Sequence, residues 1–230
     1  MSGFSHQESL ARYFDLLARR PELGRNAPDA DIRLLTDPQL IQQACDAARE
    51  ARAARNLDVA DLRVGVLASD PYMTMIRDAV RFGNGSLGLY NRIFENSSVA
   101  VLPLIDDRAV VIRIFRHGLR QWMLEFPRGG VEPGETDEEA ARREIHEEIG
   151  GNVLELIDTG EFTPGGSILA IRARLYVARI DQIRALDQAE SIHEATAVTV
   201  SELEEMMRSG RIIDGFSISL FARARLLGLL

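Results

Sequence analysis

Lysine is absent from this chain, so all 27 of its basic residues are arginine. That removes a P-loop lysine and a Schiff-base lysine at once. Cysteine is reduced to Cys45. A single thiol makes no intrachain disulfide, zinc ribbon or zinc finger, and such usage fits a reducing cytoplasm. The plain reading of Cys45 is a small buried apolar residue. Long apolar runs are missing as well: uncharged stretches such as Asn96 to Ile105 reach ten residues, well below what a membrane helix requires. Glu8, Arg12 and Asp15 stand where a signal peptide would keep its apolar stretch. The expected setting is cytoplasmic, with no membrane partner.

Positive charge is in short supply too. The 35 acidic residues outnumber the 27 basic ones, for a formal charge of −8. Duplex nucleic acid and anionic membranes are held by basic stripes, so neither is expected as the main partner, although local patches remain open. What is present describes an ordinary globular protein: 230 residues, 46% apolar and 27% charged. No internal repeat points to a solenoid. The length admits one large domain or a medium domain with an accessory segment.

Residues 5 to 20 place Leu10, Phe14, Leu16 and Leu17 at helical spacing, and Pro21 with Gly24 ends the run. A second helix is expected within Asp37 to Leu62, with Pro38 near its start. From Arg63 to Ser98 short apolar pieces alternate with turn signals at Asp70-Pro71 and Gly83-Asn84-Gly85, which reads as a linker or hinge. These features give a helical N-terminal extension over residues 1–90 and a main domain over 91–230. After Ser98 the period changes. Val99 to Ile105 and Ala109 to Phe115 flank Asp106-Asp107 as a hairpin, and Gln121 to Phe126 is a third strand. Ser167 to Ile180 and Ala195 to Val200 add strands, Ser201 with Glu204 suggests a capping box for a helix through Met207, and Gly215 to Leu230 reads as an apolar helix. Strands and helices in this irregular order predict an α/β sandwich with a mixed sheet.

The segment from Gly129 to Gly150 carries the chemistry. Thr136 followed by Glu139 is a capping box, and Gly150 falls where a helix commonly ends in a left-handed residue. A glycine-rich loop thus feeds a helix on which Glu144, Glu147 and Glu148 share one face. Like charges at this spacing repel, and a solvated acidic face would normally intersperse cations. Here Arg142 and Arg143 precede the cluster. Divalent cations bridging the carboxylates offer the sharper reading, since grouped hard oxygen donors suit Mg²⁺ or Mn²⁺.

The same segment resembles the Nudix hydrolase box: Gly, five residues, Glu, seven residues, Arg-Glu, an aliphatic residue, any residue, Glu-Glu, any residue, Gly and an aliphatic residue. Gly129, Glu135, Arg143, Glu144, Ile145, Glu147, Glu148 and Gly150 fit, and Gly151 replaces the final aliphatic residue. The resemblance implies a Nudix-type α/β/α sandwich and metal-dependent cleavage of a nucleoside diphosphate linked to another group. It implies Glu144 and Glu148 as principal ligands, Glu147 as a further ligand or base, and the Arg128 backbone carbonyl as another ligand. Glu135 and Arg143 would pair to hold loop against helix.

Beyond the box, the likeness extends over roughly residues 90 to 225 and is greatest to the ADP-ribose pyrophosphatase branch. By that likeness Arg116 would meet a substrate phosphate or ribose, Glu125 would lie near the metals, and Pro164 would mark the downstream proline signature. Arg116 alone reads equally well as a strand-end surface charge. An acidic residue in the Asp187 to Glu194 segment would position or deprotonate water, with Glu190 the first choice and Glu194 the second. The substrate implied is ADP-ribose or a related nucleotide sugar. The alternatives are a dinucleotide, a coenzyme, a dinucleoside polyphosphate, or nucleotide sensing without turnover. A homodimer is also expected from the branch.

Overall fold

The computed structural model of the chain describes residues 4–184, 186 and 191–230. It divides into two compact units, Met1–Glu95 with Gly165–Ala170, and Asn96–Pro164 with Ile171–Leu230.

Among the described residues the first unit contains two α-helices, α1 (His6–Arg19) and α2 (Pro38–Ala53), a short 3-10 turn at Pro21–Gly24, and four strands: β1 (Arg33–Leu35), β2 (Gly65–Ser69), β3 (Met73–Arg81) and β4 (Leu87–Glu95). Ser5 and Glu8 form a reciprocal capping box at the start of α1. Asp37 caps α2 by accepting from the backbone N–H groups of Gln39 and Leu40, with Pro38 in the first turn. The central strand β3 pairs antiparallel with β1, β2 and β4. The expected linker from Arg63 to Ser98 is therefore corrected: most of it is sheet, and the N-terminal segment is mixed rather than helical. The reason lies in β3 and β4, where polar residues interrupt the apolar alternation that announces a strand. Arg77 and Asp78 are buried in mid-strand. Tyr13 donates to Asp78 at 2.5 Å, and Arg92 on β4 reaches the same carboxylate at 2.6 and 3.0 Å.

The second unit carries a seven-stranded sheet built from β5 (Ser98–Ile105), β6 (Arg108–Arg116), β7 (Gln121–Glu125), β8 (Arg128–Gly130), β9 (Val153–Phe162), β10 (Ala173–Ile180) and β11 (Ile192–Val198). The β5–β10 pair is parallel and the others are antiparallel, so the sheet is mixed as predicted. Among the described residues its helices are α3 (Asp137–Ile149), α4 (Val200–Arg208) and α5 (Gly215–Leu226). Alternation assigns the faces. Val99, Val101, Val110 and Ile112 pack with Ala140, Ala141, Ile145 and Ile149 of α3. Ala100, Leu102, Val111, Leu175 and Val177 pack with Leu203 of α4 and with Leu220 and Ala224 of α5. This is the α/β/α sandwich.

Two expected boundaries shift. The strand expected from Ser167 begins only at Ala173, because Gly165–Ala170 belongs to the first unit, where β4 binds it through Ile93. The cap of α4 is Thr199 with Glu202, not Ser201 with Glu204. Both pairs have the capping-box spacing, and the earlier start places Leu203 and Met206 on the buried face.

Candidate active site

The ends of α3 are fixed by local chemistry. Thr136 Oγ1 accepts from the Glu139 N–H at 3.2 Å, and the Glu139 carboxylate accepts from the Thr136 N–H at 2.8 Å. Gly150, at φ 64°, takes the left-handed conformation that lets its N–H close the last turn onto His146. Between these caps, the stripe beside the apolar face brings Glu144 and Glu148 inward, 7% and 3% exposed. The Glu147 side chain stays half-exposed.

Buried carboxylates at this spacing need compensation. Arg143 supplies part of it. One of its terminal nitrogens donates to Glu144 Oε1 at 2.7 Å and to Glu147 Oε2 at 2.9 Å. Its other donors grip both oxygens of Glu135, at 2.9 and 3.0 Å, and the Gly130 carbonyl at 2.7 Å. Loop and helix are thereby tied together by one guanidinium. The Glu135 hydrogen bonds, first among several causes, hold the Arg143 pKa above the ordinary arginine value. Arg143 in turn, with the Glu132 N–H, lowers that of Glu135. Gly129 completes the packing, since a Cβ there would overlap the Glu144 carboxylate.

The β6–β7 strand pair brings a second group. Glu125 is 1% exposed, and its Oε2 accepts from Arg116 Nε at 2.9 Å, from a terminal Arg116 nitrogen at 2.6 Å and from Arg128 Nε at 3.2 Å. Burial opposes the charge on Arg116, but the Glu125 hydrogen bonds, then the fields of Glu125, Glu148 and Asp214, raise its pKa above the ordinary value. Glu125 Oε1 is buried with no hydrogen-bond partner among the described residues. The Arg128 guanidinium lies 4.6 Å from the Phe216 ring centroid and 4.0 Å from Asp214 Oδ1.

Asp214 was not singled out by sequence. It caps α5, accepting at 2.8 Å from both the N–H and the hydroxyl of Ser217, whose oxygen accepts from the Phe126 N–H at 2.9 Å. The Asp-Gly-Phe-Ser start of α5 is a capping signal. Its link to the chain entering the box arises only in the fold.

Among the described residues, no three acidic, cysteine or histidine side chains stand grouped as a finished metal cage. The donor set nonetheless fits a hard divalent cation. Carboxylates of Glu144, Glu147 and Glu148 share one helix face, and the buried Oε1 of Glu125 lacks a proton donor. Glu194 stands apart from this helix face. Glu194 lies in a cavity of about 630 Å³ with Arg113, Thr196 and Met206, on the α4 side of the sheet. Pro164 is exposed in the turn after β9. Glu190 lies outside the described residues.

A capped helix with two buried glutamates is thus entered through a glycine loop and packed on a mixed-sheet α/β/α sandwich. The family model of the NUDIX domain matches residues 95–214, and the chain belongs to the Nudix family. It is 28% identical over 120 residues to the ADP compounds hydrolase NudE of Escherichia coli (strain K12), covering 51% of this chain and 64% of that protein. It is 27% identical over 140 residues to the ADP-ribose pyrophosphatase of Bacillus subtilis (strain 168), covering 59% and 75%. A crystal structure of an ADP compounds hydrolase shares the fold, with a TM-score of 0.64 and 23% identity over 71% of this chain and 90% of that one.

Proposed function

We propose that the protein hydrolyses the diphosphate linkage of ADP-ribose or a related nucleoside diphosphate sugar, releasing a nucleoside monophosphate and a sugar phosphate. The observation that carries this reading is the inward placement of Glu144, against Gly129, and of Glu148 on α3 within a Nudix domain. The names of the two bacterial relatives support the substrate class.

In this mechanism Glu144, Glu148 and the Arg128 carbonyl would hold Mg²⁺ or Mn²⁺, with Glu147 as a further ligand. A bound cation there would supply neutralisation of the diphosphate and acidification of the attacking water. Arg116 positions a phosphate or the ribose, and Glu125 orients Arg116 through its hydrogen bonds. Arg143 and Glu135 keep the loop in register with the helix. Water oxygen attacks one phosphorus, the bridging P–O bond breaks, and a glutamate takes the water proton, with Glu190 the first choice and Glu147 next, since Glu194 stands on the other face of the sheet. The reading includes a cytoplasmic homodimer, and light scattering that finds a monomer at working concentration removes the dimer.

The test is phosphatase-coupled phosphate release from ADP-ribose, other nucleotide sugars, NADH, coenzyme A and diadenosine polyphosphates, with Mg²⁺, with Mn²⁺ and with chelator. Turnover concentrated on ADP-ribose and abolished by chelator is expected. Preference for another compound keeps the chemistry and discards the substrate, and silence with nucleotide binding replaces hydrolysis by sensing. Glu148→Gln is expected to lower kcat about 10³-fold, about 4 kcal/mol of transition-state stabilisation. Unchanged turnover in that variant would remove Glu148 from the ligand set.

A further inference from the structure

On the side of the sheet facing α4, the ends of β6, β7 and β11 gather three rings. Phe115 and Trp122 stand opposite each other in the β6–β7 pair, with centroids 5.5 Å apart and planes at 70°. His193 on β11 lies 5.0 Å from Trp122 at 82°. Two guanidiniums attend them: Arg113 is 4.1 Å from the Trp122 centroid, and Arg120 is 5.4 Å from that of Phe115. An open cavity of about 590 Å³ is lined by the three rings with Leu186, Ser191 and Ile192, and Arg113 lines the neighbouring cavity that holds Glu194.

Three properties of this corner point the same way. Trp122 is 41% exposed, although a tryptophan used only for packing hides its ring. Arg113 and Arg120 form no salt bridge among the described residues, although Arg113 stands opposite Glu194 in the β6–β11 pair, whereas the site arginines Arg116, Arg128 and Arg143 of this chain of charge −8 all grip glutamates. Arg120 instead donates to His117 Nδ1 at 2.7 Å. The cavity also has the size of a small-molecule site. A ligand suited to exposed rings and uncommitted guanidiniums carries a flat π system and negative charge together.

We infer that the Phe115–Trp122–His193 corner, with Arg113 and Arg120, is a nucleotide-binding subsite that stacks a nucleobase and pairs its phosphate with guanidinium. Two sources share this chemistry, the nucleoside end of the substrate and a separate mononucleotide. The subsite does not depend on hydrolysis, so a failed activity panel leaves its test intact.

Trp122 is the only tryptophan of the chain, so its fluorescence reports this corner alone. Full-length protein is titrated with AMP, with ribose 5-phosphate as the ring-free control and with correction for nucleotide absorption. Saturable quenching by AMP is expected, with none from ribose 5-phosphate. The double variant Arg113→Gln, Arg120→Gln is expected to weaken AMP binding about tenfold, with circular dichroism checking its fold. Absence of quenching up to about 10 mM AMP, a dissociation constant weaker than about 3 kcal/mol of binding, overturns the proposal. Equal quenching by ribose 5-phosphate, or unchanged affinity in the folded double variant, overturns it as well. If the double variant fails to fold, each single variant is titrated under the same criteria. Once AMP binding stands, a several-fold higher KM for ADP-ribose at unchanged kcat in these variants assigns the substrate's base as the source. An unchanged KM assigns a separate nucleotide.

Discussion

In the first unit Arg92 and Tyr13 enclose the carboxylate of Asp78, which is 2% exposed and accepts from both. In the second, Arg143 spreads its donors over Glu135, Glu144 and Glu147, and the Glu147 side chain is 49% exposed. The parts are the same, an arginine among acids, yet the balance differs. One carboxylate with two donors is a closed account of charge, so it fixes a fold. Several carboxylates around one guanidinium leave negative charge over, and a cation can use it. Counting acids against arginines separates the structural network from the candidate catalytic one better than burial does, since Asp78, Glu144 and Glu148 are all buried.

The comparison can be broken most forcefully at Asp78. Asp78→Ala strands a part-buried guanidinium and a buried phenol, and we expect about 3 kcal/mol of lost stability, read as a lower denaturant midpoint. A loss below about 1 kcal/mol would mean that the closed network does not hold the sheet. Gly129→Ala probes the open network without touching a charge. The added methyl collides with the Glu144 carboxylate, and turnover is expected to fall about 10–100-fold, or about 1.4–2.8 kcal/mol, in a protein that melts nearly as wild type does. Wild-type turnover would show that Glu144 can move without consequence.

A smaller effect sharpens the contrast. Tyr13→Phe removes one donor to Asp78 and is expected to cost about 1.5 kcal/mol at neutral pH. Burial, then the neighbouring Asp78 charge, raises the Tyr13 pKa well above the ordinary 10.0. The folded state therefore holds this proton more tightly than the unfolded one, so the stabilisation is complete below pH 10.0 and is lost as pH rises above it. Thermal unfolding from pH 8 to 11 should show the wild type losing stability faster than Tyr13→Phe above about pH 10, and parallel curves would count against this linkage.

Legibility in the sequence followed how local each signal was. The α3 caps at Thr136 with Glu139 and at Gly150, the Asp106-Asp107 hairpin, and the shared face of Glu144 and Glu148 could all be read because each depends on neighbours in sequence. Strands β3 and β4 were missed because Arg77, Asp78, Asn91 and Arg92 look like surface residues until their partners are known. One of those partners, Tyr13, belongs to α1. Asp214 escaped notice for the same reason, its link to the chain before the box running through Ser217 and the Phe126 N–H. Arg116 could be read either as a surface charge or as a site residue, and its burial beside Glu125 is a property of strand register.

The parallel pairing of β5 with β10 has a consequence for how the chain reaches this state. Ser98 must find Ala173 with the hairpin, the box and β9 all lying between them in sequence. Such a closure sacrifices chain entropy before any contact rewards it, so assembly of the second unit should wait on this encounter. In refolding experiments α3 and the β5–β6 hairpin should acquire hydrogen-exchange protection ahead of β10, leaving the glutamate cluster formed on a helix before the sheet beneath it is complete.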